Sequence, residues 1–337
     1  MAEPWDTDHS FDHAALGERL ARSLASGRYS GSPQFTPDVA PRWVAHGWDC
    51  DVFRVTDDTG VAWLCKLPKR RQVEPWLRKE AAILDALAQG GFELAPKLAL
   101  SGEPDPLPYV WIGISITPGR DLLTARTEVD AAVCGASFGA VMRRLHTFEM
   151  EALGERPPTI LRRVDHPLED SLRRIEVLKR ALADANEVQA IDSDLLSRLR
   201  GMATRAAAAQ AEEVITRFVH DDFYPEHVFV DPASSRVQGL IDWSDACWGD
   251  PASDFTPLAW CFGDSFLEPA LDAYATGHRH GLGVRDLDAM RRRIHRVATT
   301  SGLYDITVAS QGAPNVPLGQ RIATLLDRTR DGWLERV

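Results

Sequence analysis

The spacing of apolar residues changes along the chain, from mostly strand-like in the first third to helical further on. Strand patterns occur at Trp43–Val44, Asp51–Thr56 and Val61–Leu67, with Asp57–Gly60 as a hairpin turn. Helical spacing occurs over Phe11–Ser26, Gln72–Gln89, Ala131–His146, Leu168–Leu182 and Ser193–Glu213. With 337 residues, the chain is long enough for two lobes or domains.

A second strand pattern interrupts the helical part. Two short strands are predicted at Val228–Val230 and Val237–Ile241, and the turn-rich stretch Asp231–Ser235 joins them. A hairpin returns the chain to where it left. At roughly 3.3 Å per strand residue, we therefore expect Asp242 beside the loop that holds Asp222 and His227.

Those three residues suit phosphoryl transfer from a nucleotide. That reaction needs a carboxylate to accept the proton of the attacking hydroxyl, and metal ligands that hold an ion against the phosphates. Asp222 fits the role of base, and His227 and Asp242 fit the role of metal ligands.

Lys66 is the candidate residue for binding phosphate. Strand alternation turns its side chain to the face opposite Cys65 and Leu67. The predicted helix Gln72–Gln89 has an apolar stripe of Trp76, Leu77, Ile83, Leu84 and Leu87. Glu80 lies within that stripe, where a carboxylate is costly unless it is paired. We predict a Lys66–Glu80 ion pair, with Glu74 as the rival partner and a snorkelling Lys66 as the alternative.

The segment Phe218–Phe255 carries a resemblance to a known family. It contains His220-Asp-Asp222, then His227, then Ile241-Asp242-Trp243, then Asp250-Pro251 followed by Asp254. This series resembles the kinase-like antibiotic phosphotransferases. It is most similar to the macrolide 2′-phosphotransferases, which carry His rather than Asn at the position of His227. The likeness extends, more weakly, over about residues 40 to 330.

The resemblance implies an α+β, bilobal, protein-kinase-like fold. Its small antiparallel β N-lobe would contain one main helix, and its larger C-lobe would be mostly helical, with a catalytic β-hairpin. We expect an N-terminal helix and loop over residues 1–40, a nucleotide-binding N-lobe over 41–117, and a C-lobe with the catalytic loop and acceptor site over 118–337. By the same resemblance Asp254 braces the catalytic loop, His220 is a scaffold residue, and Asp221 replaces the commonest residue there, glycine.

The implied cofactors are ATP or GTP together with Mg²⁺, or Mn²⁺ in its place. The sparse loop at Gly47 would cradle the phosphates, and Asp49 and Asp51 would point away from them. Backbone groups near Ser115 to Thr117 would hydrogen-bond the purine, with Leu64 against its face. His227 would either ligate the metal directly or act through a water or by holding the loop, because Mg²⁺ prefers oxygen ligands.

The implied activity is that of a phosphotransferase with an alcohol group as acceptor, an antibiotic kinase that confers resistance. A macrolide is the first expectation for its small-molecule substrate. An aminoglycoside, a nucleoside antibiotic or a cell metabolite stays open, and a nucleotide-binding pseudokinase is a remote alternative. A metal-dependent phosphohydrolase with His220-Asp221 as a ligand dyad is disfavoured by the predicted hairpin. The antibiotic would contact Trp243, Asp245, Trp248, Trp260 and the region after Phe262, with core tryptophans and a solvated Asp245 as the alternative.

The composition of the chain limits the kinds of partner that we expect. Lys and Arg number 38 against 49 Asp and Glu, which gives a net charge of −11 and argues against a nucleic-acid partner. Five cysteines without a Cys-x-x-Cys pair fit a reducing cytoplasm. The N-terminus lacks signal-peptide features, and no apolar run reaches membrane-spanning length. We therefore expect a cytoplasmic protein without membrane contact, as a monomer or a weak homodimer.

Overall fold

The computed structural model describes residues 7–148, 176, 193–208, 216–276, 284–310 and 318–336. These residues form two compact units. The first contains the chain up to Gly119 together with Gln238–Asp245. The second contains Arg120–Phe148, the described residues from 176 to Val237, and those from Ala246 onward. The helix expected between Leu168 and Leu182 lies outside the described residues, apart from residue 176.

The described residues of the first unit up to Gly119 form six strands and two α-helices. In chain order they are α1 His13–Ala25, β1 Ser30–Gly31, β2 Arg42–His46, β3 Cys50–Thr56, β4 Ala62–Pro68, α2 Glu74–Gln89, β5 Leu98–Gly102 and β6 Trp111–Ser115. The strands form one antiparallel sheet in the order β1-β5-β6-β4-β3-β2. The predicted turn closes the β3–β4 hairpin, where an Asp57 carboxylate oxygen accepts hydrogen bonds from the Thr59 and Val61 amides.

Helix α1 contributes to the hydrophobic core of the sheet. That core contains Leu16, Leu20, Leu24, Phe53, Val55, Cys65, Leu67, Leu100, Leu107 and Trp111. Lys66 alternates with Cys65 and Leu67 along β4, so its side chain projects from the opposite face, as predicted.

Helix α2 has the apolar stripe that its sequence predicts, with one difference. Leu77, Ile83, Leu84 and Leu87 are buried, whereas Trp76 is 44% exposed. Periodicity places Trp76 on the stripe but does not reveal where along the helix packing begins. Trp76 lies in the first turn of α2, and the expectation that it belongs to the core was wrong.

The second unit is mainly helical. Its elements are β7 Arg120–Asp121, α3 Leu122–Ala125, α4 Ala131–His146, α5 Ser193–Ala208, β8 Arg217–Val219, β9 Val228–Asp231, β11 Cys247–Gly249, α6 Thr256–Phe262, α7 Asp264–Ala275, α8 Val284–Ser310 and α9 Leu318–Arg330. Strand β10, Arg236–Leu240, crosses the boundary between the two units. The hairpin strands are therefore present as predicted, in a three-stranded sheet of order β10-β9-β7.

Helices α4 and α7 pack at unusually close approach. A Cβ atom at Gly139 would lie 1.9 Å from the Ala270 carbonyl oxygen, and one at Gly135 would lie 2.2 Å from that of Phe266. Phe138, between these glycines, is fully buried and lies edge-on to Phe223, with 5.5 Å between ring centroids. This packing anchors the loop that carries Asp222.

All five cysteines are buried as free thiols. None of the helices in the described residues combines the length and apolar character that crossing a bilayer requires.

Candidate active site

Lys66 lies between two carboxylates within the first unit. Its Nζ is 2.6 Å from Glu80 Oε2 and 2.9 Å from Asp242 Oδ1. Glu80 is 1% exposed, so its carboxylate depends on this partner. The predicted Lys66–Glu80 pair is present, whereas the contact with Asp242 was not foreseen from the sequence.

Electrostatics keep Lys66 charged. Burial disfavours the ammonium form, but the carboxylates of Asp242 and Glu80 outweigh burial and raise the pKa of Lys66 well above its ordinary value. The side chain is therefore a permanent cation near neutral pH, as a phosphate-binding group requires.

Trp243 holds the segment after β10 in place. Its side chain is fully buried, its ring lies edge-on to Phe92 at 5.9 Å, and its backbone amide donates to Glu80 Oε1 at 3.4 Å. Gly239 has no room for a side chain, since a Cβ there would lie 2.2 Å from Thr117 Cγ2. These contacts position Asp242, the next residue before Trp243, on Lys66.

The candidate phosphate loop is a tight connection between β2 and β3. The Gly47 amide donates to the Cys50 carbonyl at 2.9 Å, and His46 and Asp51 are paired across the two strands. Asp49 forms an ion pair with Arg70, and Asp51 is 2% exposed and faces His13 and His46. Both acids thus have partners outside the loop. Arg70 was missed by sequence analysis, because no local pattern links it to a loop 21 residues earlier.

Burial raises the pKa of Asp49, with Asp242 and Asp245 adding to the effect, while Arg70 and Lys66 oppose it. Asp49 therefore belongs to the same electrostatic environment as Lys66 and Asp242. An anion entering that environment meets two cations, Lys66 and Arg70, that already have carboxylate partners.

The predicted purine-binding stretch begins at the end of β6. The Ser115 amide donates to the Lys97 carbonyl, and the Ser115 hydroxyl accepts from the Lys97 amide, both at 2.9 Å. Ser115 is thus tied to the chain before β5, and the backbone of Ile116 and Thr117 remains the better candidate for contacting a base. Leu64 is half-buried in β4, opposite Ile114.

In the second unit, the predicted catalytic loop brings Asp222 and His227 together. His227 Nδ1 lies 2.7 Å from the Asp222 carbonyl oxygen and 3.3 Å from its carboxylate Oδ2. A ring nitrogen facing a carbonyl carries the proton, so the lone pair of neutral His227 is on Nε2. A histidine whose second nitrogen donates to a carbonyl is the usual arrangement for a metal ligand.

Asp221 and His220 shape this loop. Asp221 has a φ of +65°, the left-handed region that glycine adopts most readily and that Asp tolerates better than most residues. His220 is fully buried, stacks on Phe223 at 3.9 Å, and accepts a hydrogen bond from the Asp222 amide at Nδ1. These contacts agree with a scaffold role for His220.

Asp254 braces the loop from a fully buried position. Its carboxylate accepts hydrogen bonds from the backbone amides of His220 at 3.0 Å and Asp221 at 2.7 Å. His146 Nε2 lies 3.0 Å from the same carboxylate, and its Nδ1 is 2.9 Å from the Tyr274 hydroxyl. Burial raises the pKa of that hydroxyl, so Tyr274 stays protonated and donates to His146. The family resemblance predicted that Asp254 braces the loop. Nothing in the sequence indicated a role for His146, which ends the apolar stripe of α4.

The structure thus assembles two groups of predicted residues, Lys66 with Glu80 and Asp242, and Asp222 with His227. Of the residues expected to contact an acceptor, Trp243 and Trp260 are buried core residues. Asp245 and Trp248 are half-buried. Trp243 and Trp260 therefore belong to the core, which removes two of the expected acceptor contacts.

Comparisons with known proteins concern the fold and the family of the chain. An uncharacterised protein of Bacillus subtilis (strain 168), YcbJ, is 23% identical over 245 residues, which cover 68% of this chain and 72% of that protein. The wild-type aminoglycoside 2′-phosphotransferase-IIIa in complex with GDP superimposes with a TM-score of 0.63 at 17% identity, covering 93% of this chain and 98% of that one. Macrolide 2′-phosphotransferase type I gives a TM-score of 0.56 at 19% identity, covering 94% and 98%.

These likenesses confirm the predicted fold class, a kinase-like fold with an antiparallel-sheet N-lobe and a helical C-lobe. Residues 42–292, well over half of the chain, match the phosphotransferase enzyme family. The match confirms the predicted enzyme class, a phosphotransferase. The chain belongs to the phosphotransferase enzyme family.

Proposed function

We propose that the protein is a nucleoside-triphosphate-dependent O-phosphotransferase that inactivates a small antibiotic by phosphorylating one of its hydroxyl groups. A macrolide is the first candidate substrate. The observation that carries the proposal is the Lys66 ammonium, on a side chain only 13% exposed, held between Glu80 and Asp242 at 2.6 and 2.9 Å. A cation fixed in this way suits the α- and β-phosphates of a nucleotide.

In the proposed reaction, the acceptor hydroxyl oxygen attacks the γ-phosphorus in line with the departing diphosphate. A bond forms between that oxygen and the γ-phosphorus, and the bond from the γ-phosphorus to the β–γ bridging oxygen breaks. Asp222 takes the hydroxyl proton. The products are the phosphorylated antibiotic and ADP or GDP.

His227 and Asp242 are the proposed ligands of the divalent ion. The donor set fits, since Asp242 offers a carboxylate and the Nδ1 contact of His227 directs the lone pair of the neutral ring to Nε2. When bound, Mg²⁺ would neutralise the phosphate charge, and Mn²⁺ would suit an imidazole ligand better. Lys66 orients the phosphates, and Glu80 fixes Lys66.

The choice of a macrolide rests on His227, which stands where the macrolide phosphotransferases carry histidine. The net charge of −11 is compatible with a cationic substrate but does not select one. Aminoglycosides, nucleoside antibiotics and cell metabolites are therefore the alternatives that an experiment must separate.

The test is a nucleotide-consumption assay. The purified protein is incubated with ATP or GTP, Mg²⁺ or Mn²⁺, and a panel of macrolides, aminoglycosides and nucleoside antibiotics, and the added phosphate is located by NMR. We expect consumption with a macrolide. Consumption only with another acceptor would refute the macrolide assignment, and a protein that binds neither ATP nor GTP would refute the whole proposal.

The Asp222→Asn variant tests the role of the base. We expect turnover to fall by about 10²–10⁴-fold while nucleotide still binds, because general-base catalysis typically contributes that much. The matched control is Asp221→Asn, which changes the neighbouring acid to a residue that also tolerates positive φ. Equal turnover in Asp222→Asn and the parent would remove Asp222 from the mechanism.

A further inference from the structure

A second polar cluster lies at the base of the Gly47 loop and has no part in the proposed phosphoryl transfer. It consists of His13 at the start of α1, His46 at the end of β2 and Asp51 in β3. His13 Nε2 and His46 Nδ1 lie 3.2 and 2.9 Å from the same oxygen, Asp51 Oδ1. One ligand atom from each residue lies within 4.8 Å of the other two.

These distances suit a shared metal ion. Bonds of about 2.0–2.2 Å to histidine nitrogen and carboxylate oxygen in a tetrahedral site put neighbouring ligand atoms roughly 3.3 Å apart. The two measured separations are close to that value. Two imidazoles and one carboxylate are also a donor set that first-row transition metals accept.

The ligands are held in place before any ion arrives. His46 and Asp51 are partners in the β2–β3 register. The His13 ring stacks on Trp43 with 4.4 Å between centroids and 15° between planes. Trp43 Nε1 also lies 3.4 Å from Asp51 Oδ1. Three elements thus fix one buried carboxylate and two rings around a common point.

The neighbouring Lys69 ammonium opposes metal binding at this cluster. Lys69 Nζ lies 2.9 Å from His46 Nε2, so in the absence of metal the ammonium donates there and the His46 proton resides on Nδ1, facing Asp51. A metal at Nδ1 must displace that proton. On the other side, His13 and His46 are 44% and 37% exposed on their side chains, which leaves room for water to complete the coordination.

We propose that His13, His46 and Asp51 form a binding site for a divalent first-row transition metal, with Zn²⁺ as the representative ion. The ion would tie α1 to the β2–β3 hairpin. It is distinct from the ion proposed for phosphoryl transfer, which has His227 and Asp242 as ligands.

Zinc binding to the untagged full chain tests the proposal. The protein is stripped with a chelator and titrated with Zn²⁺ by calorimetry in excess Mg²⁺, without nucleotide. We expect one saturable site whose dissociation constant rises at least tenfold in His13→Asn. His13 is the preferred position because its ring is half-exposed, whereas replacing the buried Asp51 risks the fold. His9→Asn is the matched control, since the His9 ring makes its hydrogen bonds with Thr7 and the Phe11 amide and interacts with Asp51 only through its charge, so its Zn²⁺ binding should stay close to that of the parent.

Thermal unfolding provides a second measurement. Because a ligand that binds only the folded state stabilises it, Zn²⁺ should raise the melting temperature of the parent and of His9→Asn but not of His13→Asn. Absence of saturable binding, or equal binding by His13→Asn and the parent, would overturn the site. Binding lost in His227→Asn but kept in His13→Asn would overturn it as well. Since no nucleotide or antibiotic enters the assay, its result is independent of the proposed enzymatic function.

Discussion

At the scale of single residues, the most consequential feature is a half-buried lysine, Lys66, with two carboxylate partners. Glu80 is almost completely buried, whereas the Asp242 side chain is 39% exposed and keeps contact with water. The two partners therefore differ in what they lose when Lys66 is removed. Glu80 is left as an uncompensated buried charge, which is costly, while Asp242 is still hydrated.

We predict that Lys66→Met lowers the free energy of unfolding by about 3 kcal/mol, the usual cost of breaking a buried ion pair from one side. Glu80→Gln should also destabilise, since it leaves the ammonium with Asp242 alone. The double variant Lys66→Met/Glu80→Gln should be less destabilised than the two single costs added together, by at least about 1 kcal/mol. Urea unfolding of the four proteins measures this coupling. Strict additivity would show that the 2.6 Å contact contributes nothing to stability.

At the scale of elements, the catalytic loop depends on a helical turn that lies after it in the sequence. Asp250 caps the turn Pro251–Phe255 by accepting a hydrogen bond from the Ala252 amide, and proline occupies the first helical position. From within that turn, Asp254 accepts the His220 and Asp221 amides. One short element therefore sets the backbone immediately before Asp222.

The Asp254→Ala variant should lose at least about 3 kcal/mol of stability, because two backbone amides and the His146 ring lose their acceptor in a buried position, at about 1–3 kcal/mol for each unsatisfied donor. Asp254→Asn, which keeps one oxygen, should lose less. The exposed Asp272→Asn in α7 is the control and should stay within about 0.5 kcal/mol of the parent. Thermal and urea unfolding measure these stabilities. An Asp254→Ala protein as stable as the control would show that Asp254 does not brace the loop.

Local sequence patterns were sufficient to predict most of these helices and strands, but not which of them contact one another. Alternation located β3 and β4, and an acid in an apolar stripe revealed Glu80, because burial of a charge demands a counter-ion nearby. The contact between Lys66 and Asp242 spans 176 positions and depends on how Trp243 packs, which no local pattern encodes. The contact between Asp51 and His13 was also not predictable from the sequence. Periodicity showed that the helix of His13 packs on the core, but not which polar residues it meets.

At the scale of the whole molecule, the two compact units are not continuous stretches of the chain. Gln238–Asp245 belongs to the first unit although 118 residues separate it from Gly119. The polar group around Lys66 is therefore complete only when a late part of the chain has joined the sheet and α2. Such long-range contacts slow folding, and they make the finished group a property of the native chain.

If that group binds nucleotide, the whole chain should be stabilised by it. At a nucleotide concentration of about 100 times the dissociation constant, linkage contributes about 2.7 kcal/mol, which for a chain of this length raises the melting temperature by roughly 4 °C. Comparing ATP and GTP with Mg²⁺ at equal concentration would also reveal which one is preferred.

Lys66→Met should abolish most of this rise, judged against its own melting temperature without nucleotide, because the cation facing the phosphates is gone. Lys97→Met removes an exposed lysine of the same unit and should leave the rise intact. Differential scanning calorimetry of the three proteins gives the measurement. An unchanged rise in Lys66→Met would place the nucleotide elsewhere and would separate the buried ion pair from phosphate binding.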